Sequence, residues 1–165
     1  RVSRQLASEL LVMSGVCRNR QEADAKVEET LSSGKAAEKL KEMIKHQNGD
    51  PVIVDDPDKL PQAPIEHAVK ATGGGYLKGI AARQLGLAAL GLGAGRLKKS
   101  DVIDPAVGII MHKRIGDKIS SGDVLAVVHA ADNEAAKIAE KRILEAISTS
   151  PEVVEPPAEI AAWVE

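Results

Sequence analysis

Phenylalanine is absent from this chain, and Tyr76 and Trp163 are its only aromatic residues. A core must therefore be built from Leu, Ile, Val and Ala. Recognition by stacking nucleobases on aromatic faces has almost no material to work with. Cysteine is nearly missing as well. Cys17 stands alone and cannot close an internal disulfide, which fits a reducing compartment. Its setting, SGVCRNR, lies between one helix and the next and suits a structural residue rather than a nucleophile. Charge of one sign is lacking too: 22 basic and 24 acidic residues leave a net charge of −2, which disfavours a dedicated nucleic-acid binder. No apolar run approaches the roughly 20 residues of a membrane span, and no signal-peptide pattern is present. A cytoplasmic protein with neither nucleic-acid nor membrane partners is expected. The chain also lacks a starting Met and opens at Arg1 inside a helical pattern, as a piece of something longer would.

What is there suffices for a domain with an appendage: 165 residues, of which 44% are apolar. The first third reads as helices. Leu6, Leu10 and Met13 recur at helical spacing on one face, and Gly15 ends the run. Asn19 and Glu22 have the spacing of a capping box, followed by Ala23, Val27 and Leu31 on one face and by Gly34. A third helix runs from Lys35 with Leu40, Met43 and Ile44 inward, and stops at Asn48-Gly49. The stretch DPVIVDDPDKLPQAP then carries four prolines and reads as an extended connector. These observations predict a helical segment over 1–49, a Pro-rich connector over 50–64 and a second domain over 65–165.

In that second domain β patterns take over. Strands are expected over Ile65–Ala71, Tyr76–Ile80, Val107–Met111, Ile115–Ile119 and Val124–Ala130. A helix is expected over Ala81–Leu90 and another over Asn133–Ile147. The acidic, Pro-rich tail closes on a short apolar stretch suited to an edge strand.

Four features invite a chemical reading. LGLGAGRLKKSD sets Gly91, Gly93 and Gly95 beside Arg96, Lys98 and Lys99, a combination that suggests a phosphate cradle. Yet these glycines follow a helix, and its carboxyl end repels anions. The spacing also fits neither the P-loop nor the dinucleotide-binding pattern. A mobile loop that uses glycine's freedom is the better account. His46, His67, His112 and His129 are scattered without metal-ligand spacing, and Asp55, Asp56 and Asp58 lack the spacing of a calcium loop. Finally, GDKISSGDVL resembles the strands of biotinyl and lipoyl carrier domains. The nearest modifiable lysine, Lys113, does not sit at a hairpin apex.

Four segments taken in order, SGKAAEKLKEMIKHQNGD, VDDPDKLPQAP, GLGAGRLKKSDVIDPAVGIIMHKRIGD and SGDVLAVVHA, resemble the C-terminal part of bacterial pyrimidine-nucleoside phosphorylases, thymidine phosphorylase included. The resemblance runs from about Leu6 to Ile147. It implies an α+β arrangement: a helical segment from the family's larger α/β domain, then a hammerhead-like module with sandwich-like antiparallel strands. It also implies a pentosyl transfer of nucleoside salvage, with inorganic phosphate as co-substrate and no cofactor in this chain. The implied partners are the N-terminal remainder of the enzyme and, for the whole enzyme, a second subunit. The family's phosphate-holding Lys-x-Ser-x-Gly-Gly segment, its base-holding Arg, Ser and Lys, and its cation site all lie upstream of the part resembled here. No catalytic, substrate-binding or metal residue is therefore carried onto this chain. What the resemblance does imply is a closure role for the loop of Gly91, Gly93, Gly95, Arg96, Lys98 and Lys99. The alternative is a non-enzymatic carrier or binding module on the same strands.

Overall fold

The computed structural model describes residues 1–96 and 98–162. It divides into two compact units, one of Arg1–Lys59 with the residues from Ala158 onward, the other of Leu60–Pro157.

The first unit holds three helices, α1 (Val2–Met13), α2 (Arg20–Ser32) and α3 (Lys35–His46). The capping box forms. The Asn19 carboxamide oxygen accepts the Glu22 N–H at 2.9 Å, and Glu22 reaches back to accept the Arg18 N–H at 2.9 Å. Arg20 then ties α2 to α1 by pairing with Glu9 as well as with Asp24 of its own helix. Replacing a cap of this kind leaves an orphan amide, so Asn19→Ala should cost the unit about 1 kcal/mol. Faster amide exchange confined to the first turn of α2 would register the loss.

Two expectations about this unit are overturned. The stretch read as extended contains two 3-10 turns, Pro51–Val54 and Pro57–Lys59. Proline's fixed φ suits the first position of such a turn, and Asp50 accepts the Val52 N–H at 3.0 Å to start it. Asp55 meanwhile pairs with Lys41 of α3 at 2.8 Å. The second correction concerns α3, whose Leu40, Met43 and Ile44 are expected inward: Leu40 and Met43 are exposed, and Ile44 is only half-buried. Leu6, Leu10 and Met13, which share a face of α1, are 58%, 64% and 80% exposed, and Leu31 of α2 is exposed as well. Among the described residues of the unit only Ser8, Cys17, Ala23 and Val27 are buried. Each large apolar side chain left in water forgoes about 1.5–3 kcal/mol of burial. Periodicity identifies the apolar face of a helix and says nothing of whether this chain supplies what covers it.

The second unit is α+β. It contains β1 (Ile65–Lys70), β2 (Gly75–Ile80), α4 (Ala82–Leu92), β3 (Gly108–Met111), β4 (Lys118–Ile119), β5 (Val124–Ala130), α5 (Asn133–Ala146) and β6 (Ile147–Ser150). The strands form two antiparallel three-stranded sheets, ordered β1-β5-β3 and β4-β2-β6. β5 is the central strand of the first, with Ala68 facing Val127 on one side and Ile110 facing Val127 on the other. It is buried at Leu125, Ala126, Val128 and Ala130, which explains why it reads as an apolar run from Val124 to Val128. Helices α4 and α5 pack together, and α5 lies on β1 and β5. Ile143 of α5, Val69, Val128 and Leu92 meet in the main core. A smaller cluster of Ala71, Ile119 and Leu125 shares Leu144 and Ile147 with it.

Boundaries shift where pairing rather than composition decides them. The strand expected over Ile115–Ile119 contracts to Lys118–Ile119, because Gly116 and Asp117 are taken up in a turn whose Asp117 N–H bonds to Arg114. The last helix ends at Ala146, and Ile147–Ser150 becomes a strand because Tyr76 and Ile80 offer it an edge. The tail forms no strand over its described residues. Trp163 and Val164, which end its apolar stretch, lie outside them.

Candidate functional site

The glycine-rich segment sits at the carboxyl end of α4, and its three glycines do three different things. Gly91 lies inside α4 rather than in the loop. A side-chain carbon there would come 3.1 Å from an Nη of Arg142, so the missing Cβ lets α5 lay its arginine over α4. Gly93 caps the helix at φ +104°, a left-handed conformation that suits glycine, while the Ala94 N–H closes back on the Ala89 carbonyl at 3.1 Å. Gly95 packs against Leu90, close enough that a Cβ would sit 2.6 Å from Leu90 Cδ1.

Gly93 and Asp104 close the two ends of the loop that follows α4. The Gly93 carbonyl accepts the Asp104 N–H at 3.0 Å, and the Asp104 carboxylate accepts the Ala106 N–H at 2.9 Å. The base of the loop is thus stapled. Among the described residues its outer part holds a local turn, in which Asp101 accepts the Lys98 N–H at 2.8 Å. Arg96, Lys98 and Lys99 are exposed, and beside them Val102 is 90% exposed and Ile103 is also exposed. Three cations and two aliphatic side chains are thus exposed among the described residues of a loop pinned at its base. The loop follows the negative end of α4, which works against holding an anion through backbone groups.

Arg142 borders two clefts between α4 and α5. One, of about 230 Å³, is bordered by Gly91, Leu92, Asp132 and Ile138. The other, of about 670 Å³, is bordered by Gln84, Leu87, Leu90 and Glu145. The guanidinium donates to the Leu87 carbonyl at 3.3 Å, so its visible task is to brace α5 against α4.

The histidines remain scattered. His67 Nε2 lies 2.8 Å from Glu140, joining β1 to α5, and His129 lies 3.9 Å from Glu66. Sequence reading missed both Arg142 and the His67–Glu140 pair. The partners of that pair stand 73 positions apart on a strand and a helix, and only the packing of α5 on β1 brings them together. Among the described residues no group of three or more His, Cys, Asp or Glu gathers as a metal site would require. No helix among them is long and apolar enough to cross a membrane.

Lys113, the residue a carrier module would have to modify, is held. Its Nζ lies 3.3 Å from Asp123, whose carboxylate also accepts the Ser120 N–H at 3.1 Å. The Ser120 amide and then the Lys113 ammonium pull the Asp123 pKa below the ordinary 3.8. A carboxylate with a lowered folded-state pKa stabilises the fold above its unfolded value and loses that contribution as pH falls through the folded one. Acidification below about pH 4 should therefore weaken the native chain more steeply than Asp123→Asn. Urea midpoints measured at a series of pH values would separate the two slopes.

Comparison with known proteins gives a consistent picture. Residues 76–150 match the family described as the pyrimidine nucleoside phosphorylase C-terminal domain. The chain is 40% identical over 153 residues to the pyrimidine-nucleoside phosphorylase of Bacillus subtilis (strain 168), covering 90% of this chain and 35% of that protein. It is 38% identical over 151 residues to the protein of the same name from Staphylococcus aureus (strain USA300), covering 92% of this chain and 35% of the relative. The chain thus spans about a third of the length of these relatives, and it is similar to their C-terminal part.

Proposed function

We propose that this chain, similar to the C-terminal part of pyrimidine-nucleoside phosphorylases, is that part of such an enzyme and works as its support and closure element. The whole enzyme would convert a pyrimidine nucleoside and inorganic phosphate into the free base and a pentose 1-phosphate, in the cytoplasm and as a homodimer. Phosphate must reach the anomeric carbon as the base departs and the sugar gains positive character. Preorganised cations and donors are needed to hold the phosphate and to take up charge on the leaving base. Those groups belong to the remainder of the enzyme, and this chain alone is silent.

Its contribution is to exclude water and complete the site. The observation that carries this reading is the loop between Gly93 and Asp104, stapled at its base and bare at Val102 and Ile103. A loop so built has a defined open position and an apolar face to lay on a partner. Arg96, Lys98 and Lys99 supply ion pairs for the closed position. Closing a lid sequesters the reacting groups and can limit turnover even when the lid brings no chemical group of its own. The held Lys113 speaks against the carrier reading.

The test is base release from thymidine and from uridine in saturating phosphate. No release above a blank is expected from the chain alone. Release is expected when the chain is co-expressed with the part of the B. subtilis relative that it does not cover. In that reconstituted enzyme Val102→Asp should lower kcat about tenfold, as expected for a lid that no longer seats. Turnover that follows the chain alone through purification would overturn the reading.

A further inference from the structure

Helix α4 contains two exposed glycines, Gly86 and Gly91, and neither has a positive φ. Alanine is the better helix former at such positions. Around Gly86 no atom lies within 4 Å of where a Cβ would stand. Around Gly91 the atoms at that range among the described residues both belong to Arg142 of α5, Nη1 at 3.1 Å and Cζ at 4.0 Å. The bare backbone at Gly91 thus serves one neighbour.

Arg142 uses the space to reach a main-chain group. Its guanidinium donates to the Leu87 carbonyl at 3.3 Å. Among the described residues it pairs with no carboxylate, although Glu134 and Glu145 line the clefts it borders. Helix α4 has no basic residue in its own last turn. A cation near the carboxyl end of a helix is favoured by the dipole and by the open carbonyls there. Arg142 therefore supplies from α5 what α4 lacks. Ala88 and Leu92 anchor the inner side of α4, and Arg142 holds its exposed side. Just beyond, the Gly93 amide donates to the Leu90 carbonyl at 3.1 Å, and the Gly93 carbonyl accepts the Asp104 N–H at 3.0 Å.

We propose that Arg142 is a positioning residue for the loop between Gly93 and Asp104: laid across Gly91, it fixes the last turns of α4 and with them the base from which the loop closes. The proposal rests on the reading given under Proposed function, in which the position of the loop bears on turnover. Arg142 acts through α4 and touches no reacting group.

Gly91→Ala is the decisive variant, because it adds a better helix former and keeps the arginine while displacing it. A Cβ pushes Nη1 away, and a hydrogen bond already 3.3 Å long has little room to stretch. In the chain alone, the Asp104 amide should exchange about tenfold faster in Gly91→Ala and in Arg142→Ala, with urea midpoints too close to the native one to account for it. Arg142→Lys should recover part of the protection, since lysine keeps the charge and a donor. Gly86→Ala should exchange as the native chain does. The double variant Gly91→Ala/Arg142→Ala should exchange no faster than Arg142→Ala, because the added methyl group then meets nothing. Native exchange at Asp104 in Arg142→Ala would overturn the proposal, as would single effects that multiply in the double variant. In the enzyme reconstituted with the uncovered part of the B. subtilis relative, Gly91→Ala should lower kcat for base release about threefold and shift KM with it, whereas Gly86→Ala should change neither. Faster exchange at Asp104 with kcat unchanged would support the hold of Arg142 on the loop base and defeat the closure reading.

Discussion

Gly75→Ala should unfold much of the second unit, with a loss of at least about 3 kcal/mol. Gly75 opens β2 at φ +129°, outside the range that residues with a Cβ adopt comfortably. A methyl group there would also lie 2.4 Å from the Ser150 carbonyl oxygen and 3.2 Å from its carbon. Both obstacles are backbone, so no rotamer change relieves them. Separation would break the pairing of Tyr76 with Ser150 and of Gly75 with Ile119, detaching β6 and β4 from the strand between them. A fall of that size changes the ratio of folded to unfolded molecules by more than a hundredfold. It should appear as a lower urea midpoint followed by the fluorescence of Tyr76, which sits next to the substitution. Gly73→Ala is the control. No atom lies within 4 Å of a Cβ there and its φ is not in the left-handed range, so its midpoint should stay near the native one.

The contrast between these two glycines shows where sequence reading stops. Both belong to the run GGG, which marks a turn by composition alone. Which of the three faces the Ser150 carbonyl depends on β6, a strand that pattern reading did not anticipate and whose first residue, Ile147, it placed in a helix. Elements whose signal is internal were legible. β5 is apolar from Val124 to Val128 because residues on both its faces are buried, and α2 starts just after Asn19 because the cap and its partner lie three residues apart. Elements defined by a distant partner were not. β4 is two residues long because only Gly75 and Tyr76 are there to pair with it. The candidate site divides in the same way. The glycines and cations of the loop were visible as a string, as was their position after a helix. The staple between Gly93 and Asp104, and the contact of Gly91 with Arg142, are tertiary facts. The apolar face of α1 was legible as a face, but its exposure was not, because burial depends on what packs against it.

Ile143→Ala should cost about 3 kcal/mol, in the middle of the range for an isoleucine truncated in a closed core. Ile143 is completely buried on the inner face of α5, where it meets the main core that also contains Val69, Val128 and Leu92. Those neighbours come from β1, β5 and α4, elements held by their own ladders and helical bonds, so the space can collapse only in part. Ile143→Val removes one methylene and should cost about 1 kcal/mol. Ile138→Ala, on the same helix but half-exposed, should stay within about 0.5 kcal/mol. The effect bears on the loop because Leu92 is the last residue of α4 and Gly93, next to it, holds the staple to Asp104. A cavity under Leu92 loosens the anchor of the loop without touching its cations or its exposed valine. In Ile143→Ala the Asp104 amide should therefore exchange faster than the loss of global stability alone requires, whereas in Ile138→Ala it should not. Equal exchange at Asp104 in the two variants, after correction for their stabilities, would mean that the base of the loop is held from elsewhere. The mechanical link from the core through α4 to the glycine-rich loop would then be wrong.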